Sequence, residues 1–186
     1  MSAASTEQLN KADVIVFYSN NPGWSLDRAK ELDAFLNRGG GLVYIHFAVD
    51  GHEQCDELAQ RIGLAWRGGV SRFRHGPIDL TFEPHPITQG FHEIHFEDES
   101  YWNLVGSEKN VQTLARAVEE RHAQPLIWTR EQGKGRVFVS IPGHFTWTFD
   151  DPLFRLLILR GIAWSAKEPL DRFNDLATIG ARVSRR

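Results

Sequence analysis

The sequence predicts an α/β fold built on a parallel sheet, and three observations carry that expectation. Val14-Ile15-Val16-Phe17-Tyr18 and Leu42-Val43-Tyr44-Ile45-His46-Phe47 are β-branched and aromatic runs flanking a helical pattern, which is the spacing of a βαβ unit. Both runs are apolar almost throughout, as strands covered on both faces are. The segments from Gly39 to Ala48 and from Gly135 to His144 each lead from a glycine turn through a strand to a histidine. In open α/β sheets chemistry gathers just beyond the carboxyl ends of the strands, so the two imidazoles are expected to face one pocket.

The elements follow in order. Val14 to Tyr18 reads as a strand closed by the turn residues Ser19-Asn20-Asn21-Pro22-Gly23. Ser25 is a candidate cap for a helix carrying Leu26, Ala29, Leu32, Phe35 and Leu36 on one face, which Gly39-Gly40-Gly41 ends. After the strand from Leu42 to Phe47, Leu58, Ala59 and Ile62 predict a short helix within 53–64. Further strands are predicted at 78–82, 111–117, 125–129 and 136–141. Between Ala65 and Glu108 the chain is rich in His, Gly, Pro and aromatics without a helical period, and it reads as a long irregular stretch serving function. Asp151-Pro152 opens a last helix bearing Leu153, Leu156, Leu157, Leu159, Ile162 and Ala163. The division expected is a polar segment over 1–12, one domain over 13–166, and a polar tail over 167–186 with a weak helical turn at 170–176.

Composition excludes several classes. The chain of 186 residues has 41% hydrophobic and 24% charged residues, an ordinary globular balance with enough apolar material for one core. A formal net charge of -3, with no basic block beyond Arg185-Arg186, gives no footprint for nucleic acid. No apolar run reaches the roughly 18 residues of a membrane span, and Met1 to Asn10 lacks the apolar core of a secretory signal. The single cysteine, Cys55, rules out an internal disulfide and suits a reducing compartment. A cytoplasmic protein is expected. Gly133-Lys134-Gly135-Arg136 precedes a strand instead of opening a helix, so it reads as a hairpin turn, and no dinucleotide fingerprint follows a strand. No nucleotide cofactor is therefore expected.

Several segments together resemble the ThuA-like, or trehalose-utilisation, family, a branch of the class I glutamine-amidotransferase-like fold. They are Gly39-Gly40-Gly41 through His46, Phe73-Arg74-His75, His85-Pro86-Ile87-Thr88-Gln89-Gly90, Asp98-Glu99-Ser100-Tyr101, Gly133 through His144, and Asp151-Pro152-Leu153-Phe154 to Trp164. Their order and spacing span about residues 13 to 166. The resemblance implies a flavodoxin-like three-layer sandwich, with a sugar or keto-sugar as substrate. Where glutamine amidotransferases of this fold carry their nucleophilic cysteine, this chain carries His46, and Cys55 lies on the entry to a helix, so glutamine hydrolysis is not expected. Family members usually begin with an additional strand and helix ahead of the strand matching Val14 to Tyr18. Without them a sheet edge would stand open, and either a homodimer covering it or a shortened gene product is expected.

The leading candidate site holds His46, His75, Glu99 and His144, since imidazole and carboxylate suit a divalent first-row ion, zinc first. Without metal, His46 and His144 would serve as general base and acid, with Asp98 or Glu99 orienting a ring and Tyr101 donating a hydrogen bond. Trp147 is the candidate for stacking on a sugar ring, with Arg72, Arg74 or Asp98 holding its oxygens and Phe47 beside it. The plain alternative is that these histidines only hydrogen-bond backbone at strand ends. His85 reads as part of a rigid turn. At the level of the whole protein, the rival to an enzyme is a ligand-binding or assembly module that keeps the scaffold without catalysis.

Overall fold

The computed structural model describes residues 5–19 and 24–180. The expected loop over 20–23 and the last six residues of the expected tail lie outside them. The helices are α1 (Thr6–Lys11), α2 (Leu26–Asn37), α3 (Cys55–Ile62) and α4 (Pro152–Ala166). The strands are β1 (Val14–Phe17), β2 (Gly41–Ile45), β3 (Leu64–Ala65), β4 (Arg72–Phe82), β5 (Glu93–Trp102), β6 (Val105–Gly106), β7 (Gln112–Glu119), β8 (His122–Gln132) and β9 (Gly135–Ser140). Single 3-10 turns span His46–Val49 and Thr146–Asp150.

Local chemistry accounts for most boundaries. Ser25 Oγ accepts from the Arg28 N–H at the start of α2, and Asp151 accepts from the Leu153 and Phe154 N–H groups at the start of α4. Each satisfies donors that the first helical turn leaves unpaired. The segment expected to be merely polar contains α1, closed by a reciprocal Ser5/Gln8 capping box and held by buried Leu9. The tail carries a 3-10 turn at Asn174–Leu176, inside the stretch where a weak helical turn was predicted.

Seven strands form one sheet in the order β1-β2-β9-β8-β7-β4-β5. Only β1, β2 and β9 run parallel, and every pairing from β9 to β5 is antiparallel. The expectation of a parallel sheet therefore holds for its first three strands and fails beyond them. Short connections decide this for β7, β8 and β9, because a two-residue turn can only return a chain antiparallel. Gly133-Lys134 joins β8 to β9, as the glycines predicted. Glu120-Arg121 joins β7 to β8 with positive φ at both residues, 47° and 68°, the backbone of a tight hairpin turn without the usual Asn or Gly.

The larger correction concerns residues 65–108. The stretch is mostly a ladder in which β4 and β5 pair from Arg72↔Trp102 to Thr81↔Glu93. Half-exposed alternation along β4, with Gly76 and Pro77 in mid-strand, hid it from a search for apolar runs.

Helices cover both faces where the strands are parallel. Trp128 of β8 donates its indole N–H to the Ile62 carbonyl of α3 at 2.7 Å. On the other face Gly161 of α4 lies so close to Phe138 of β9 that a Cβ there would fall 2.6 Å from the ring. Gly41 of β2 is held as tightly, with the Ser165 carbonyl oxygen 2.2 Å from where its Cβ would stand. β1 forms one edge of the sheet and β5 the other, and the antiparallel half curls until β5 reaches the carboxyl ends of β2 and β9. Tyr101 Oη of β5 lies 3.0 Å from His46 Nε2, the residue that follows β2.

Candidate active site

Three stretches of chain meet at the cluster. His46 leaves β2 with φ +57°, a conformation disfavoured for a non-glycine residue, and turns its buried ring toward β5. Its Nδ1–H donates to the Ile141 carbonyl at 3.0 Å. A carbonyl can only accept, so the proton sits on Nδ1 and the Nε2 lone pair faces the cluster. Gly143, at φ +135°, lets the chain after β9 pass where a Cβ would meet Ile45 Cγ2 at 2.8 Å, and His144 then faces His46. Glu99 and Tyr101, two residues apart on β5, project on one face.

The ligand atoms converge. His46 Nε2 is 3.1 Å from Glu99 Oε2 and 2.9 Å from His144 Nδ1, and His144 Nδ1 is 2.9 Å from Glu99 Oε2. Tyr101 Oη donates to Glu99 Oε2 at 3.0 Å. Two imidazoles and a carboxylate, with donor atoms all within 4.8 Å of one another, are a donor set that zinc accepts. The second-nitrogen bond from His46 to Ile141 is the kind of outer contact that fixes a ligating ring. The same atoms also close a proton network, because the Tyr101 hydroxyl and one His144 N–H supply the two protons that His46 Nε2 and Glu99 Oε2 can accept.

Electrostatics separate the roles. Burial alone would raise the Glu99 carboxyl, but the hydrogen bond from Tyr101 and the imidazoles of His46 and His144 beside it outweigh burial and hold the group below its ordinary value. Glu99 is thus an anion at neutral pH. Burial, reinforced by Glu99, drives the Tyr101 phenol far above its ordinary value, so Tyr101 keeps its proton.

The other sequence candidates fall outside this cluster. His75, paired with Glu99 across the β4–β5 ladder, is 52% exposed and lies 3.3 Å from the carboxylate's other oxygen, Oε1. It backs Glu99 and is not among the three grouped ligand atoms. Asp98 projects from the opposite face of β5 and is fully buried. It accepts from the backbone N–H groups of Glu99 (2.6 Å), His144 (2.8 Å) and Gly143 (3.1 Å) and from the Thr148 hydroxyl. It therefore ties β5 to the turn bearing His144 and has no face left for a ligand. Arg74 also departs from its expected role, donating to buried Glu119 at 2.6 Å and to the Pro77 carbonyl at 3.0 Å. Phe47 is half-buried and packs against Trp66 and Tyr101, each ring centroid 6.2 Å away.

Trp147 is 53% exposed and stacks on Phe145 at 4.1 Å, while its indole N–H donates to the Glu97 carbonyl. Phe145 packs against His144 and His75, and His75 against exposed Phe73, giving a wall of rings beside the cluster. Phe145 and Phe73 were not singled out as ligand contacts from the sequence. Phe73 two residues before His75, and Phe145 and Trp147 one and three residues after His144, were the available signal. Cys55 is fully buried on α3, where burial raises its thiol. His85 accepts the Ile87 N–H on Nδ1 and closes a 3-10 turn, the structural role read for it.

The family model described as ThuA, trehalose utilisation, matches residues 2–165. The chain belongs to the ThuA family. Among solved structures it resembles a ThuA-like protein from Parabacteroides merdae, at 21% identity and TM-score 0.69, covering 83% of this chain and 70% of that one. A ThuA-like protein from Bacteroides uniformis shares 17% identity with TM-score 0.68, over 89% and 75% of the two chains. A cytoplasmic protein of Salmonella typhimurium shares 16% identity with TM-score 0.54, over 80% and 69%. At such identities the likeness concerns the fold. No protein of curated function matches the chain. No described helix is long and apolar enough to cross a membrane.

Proposed function

We propose that this ThuA-family protein is an enzyme acting on a sugar or keto-sugar at the His46, Glu99, Tyr101 and His144 cluster, on a scaffold of the glutamine-amidotransferase-like, flavodoxin-like type. The observation that carries the reading is the convergence of His46 Nε2, Glu99 Oε2 and His144 Nδ1 within 3.1 Å of one another at the tips of β2 and β9. Those three residues would hold a divalent ion, zinc by donor type, which when bound supplies polarisation of a substrate carbonyl or activation of water.

The residues' own roles follow from their protonation and exposure. Glu99, an anion at neutral pH, takes a proton from the substrate. Tyr101 keeps its proton, which it donates to Glu99 in the free protein and turns to a substrate oxygen once Glu99 has taken up the substrate's proton. His46 is fixed through Ile141, and its Nε2 accepts the His144 N–H. His144, with 36% of its side chain exposed, stands where a substrate enters. Trp147 and Phe145 offer apolar faces on which the C–H face of a sugar ring packs. Glutamine chemistry is disfavoured because the one thiol is buried and protonated. A cytoplasmic site of action fits a chain with a lone free cysteine and a fold neighbour named as a cytoplasmic protein.

Metal analysis of untagged protein tests the reading, together with a screen of keto-sugars for proton exchange beside the carbonyl. Near-stoichiometric zinc that is lost in His46→Ala and His144→Ala supports the metal form. Exchange without metal, abolished by Glu99→Gln, supports the acid–base form. Absence of both, with sugar binding unchanged in these variants, rejects catalysis in favour of a binding module.

A further inference from the structure

The end of the sheet opposite the His46–His144 cluster carries a second polar feature. A groove of about 340 Å³ opens there, with His85, Lys109, Gln112, Arg130, Glu131 and Trp164 among its lining residues. Arg130 lies on β8 across from Val137 of β9. Its side chain is half-buried, and Nη1 is sealed from solvent with no hydrogen-bond partner. Among the described residues the guanidinium meets no carboxylate, and neither does the exposed ammonium of Lys109. The carboxylate in the groove is already engaged: Glu131 pairs with Arg136 at 3.5 Å, while Arg136 also donates to the Trp164 carbonyl and lies over its ring.

A desolvated guanidinium without a counter-charge is costly, and folded proteins rarely leave one uncompensated. Burial with nothing to offset it holds Arg130 below its ordinary pKa. Arg130, through the guanidinium nitrogens other than the sealed Nη1, and Lys109 supply a delocalised cation and a mobile point charge, a pairing that compact oxyanions accept. The Gln112 side-chain amide adds a neutral donor. We propose that this groove is a binding site for a phosphate group, free or carried as a monoester, distinct from the catalytic cluster.

Amide-shift NMR of the full chain tests this at low ionic strength. Inorganic phosphate is titrated in one series and glycerol phosphate in another, with chloride as the control anion. Saturable shifts are expected at 109–112 and 129–131, weakened about tenfold in Arg130→Gln and also weakened in Lys109→Gln. They should persist in Glu99→Gln, which separates this groove from the cluster. Lys109 is exposed, so its variant keeps the test meaningful if Arg130→Gln folds poorly. Saturation by both ligands, or by the ester alone, supports the site and tells which source it prefers. Absence of saturation with either ligand, affinity unchanged from wild type in both variants, or shifts confined to the His46 region overturns it.

Discussion

At the scale of single residues, the cluster depends on a carboxylate that belongs to no reaction. Asp98 is fully buried and takes three backbone N–H groups and one hydroxyl. Removing it strands donors that water cannot reach, whereas an amide of the same shape keeps some acceptors. Asp98→Ala is expected to cost about 3 kcal/mol in urea unfolding, and Asp98→Asn less; equal stability to wild type would show that the clamp is dispensable. His85 supplies a pH effect. Burial, then the charge of Arg136, lowers its pKa below 6.5, and its Nδ1 must stay unprotonated to accept the Ile87 N–H. The unfolded chain then binds the proton more readily. The stability His85 contributes is present above about pH 6.5 and falls away as pH drops from there toward the lower folded value. Urea midpoints measured across that range should decline in wild type and decline less in His85→Asn. The sequence exposed His46 and His144 because each ends an apolar strand. It misassigned Asp98 and Arg74 because their direction depends on the alternation of β4 and β5, and those strands had not been recognised in full.

At the scale of elements, legibility followed solvent exposure. β2 is buried at all five positions and β9 nearly so, which leaves a continuous apolar run that any reader of the sequence finds. β4 faces water over much of its length, so its residues alternate weakly and its identity rests on a ladder with β5. The hairpin at Glu120-Arg121 was equally silent, since neither residue is a turn former by type. Close packing between elements gives a prediction that opposes helix propensity. Replacing a mid-helix glycine by alanine favours the helix by about 1 kcal/mol, yet a Cβ on Gly161 of α4 would stand 2.6 Å from the fully buried Phe138 ring. Overpacking of that kind costs about 1–3 kcal/mol, and repulsion at this distance is steep. Gly161→Ala should therefore be less stable than wild type in chemical denaturation; a gain would mean that α4 and β9 can separate without penalty.

At the scale of the whole molecule, the sheet has two unlike edges. β5 is long, but its residues 98–102 are buried where the sheet curls over the strand tips, and its outer part carries Glu93, His95 and Glu97. β1 is short and has a strand partner on one side only among the described residues. Val14-Ile15-Val16-Phe17 contains no charged residue and no proline of the kind that blunts an edge, and Val16 and Tyr18 are 43% and 49% exposed. Unpaired backbone groups beside apolar side chains favour pairing with another strand, and a two-fold axis across β1 would join two copies antiparallel into one continuous sheet. Self-association that rises with concentration is therefore expected in sedimentation velocity. Val16→Lys places a charge on that edge without entering the core, so it should shift the distribution toward monomer while leaving the thermal midpoint nearly unchanged. A wild-type chain that stays monomeric across the accessible concentration range, or a lysine variant that associates as strongly, would show that this edge is not the contact.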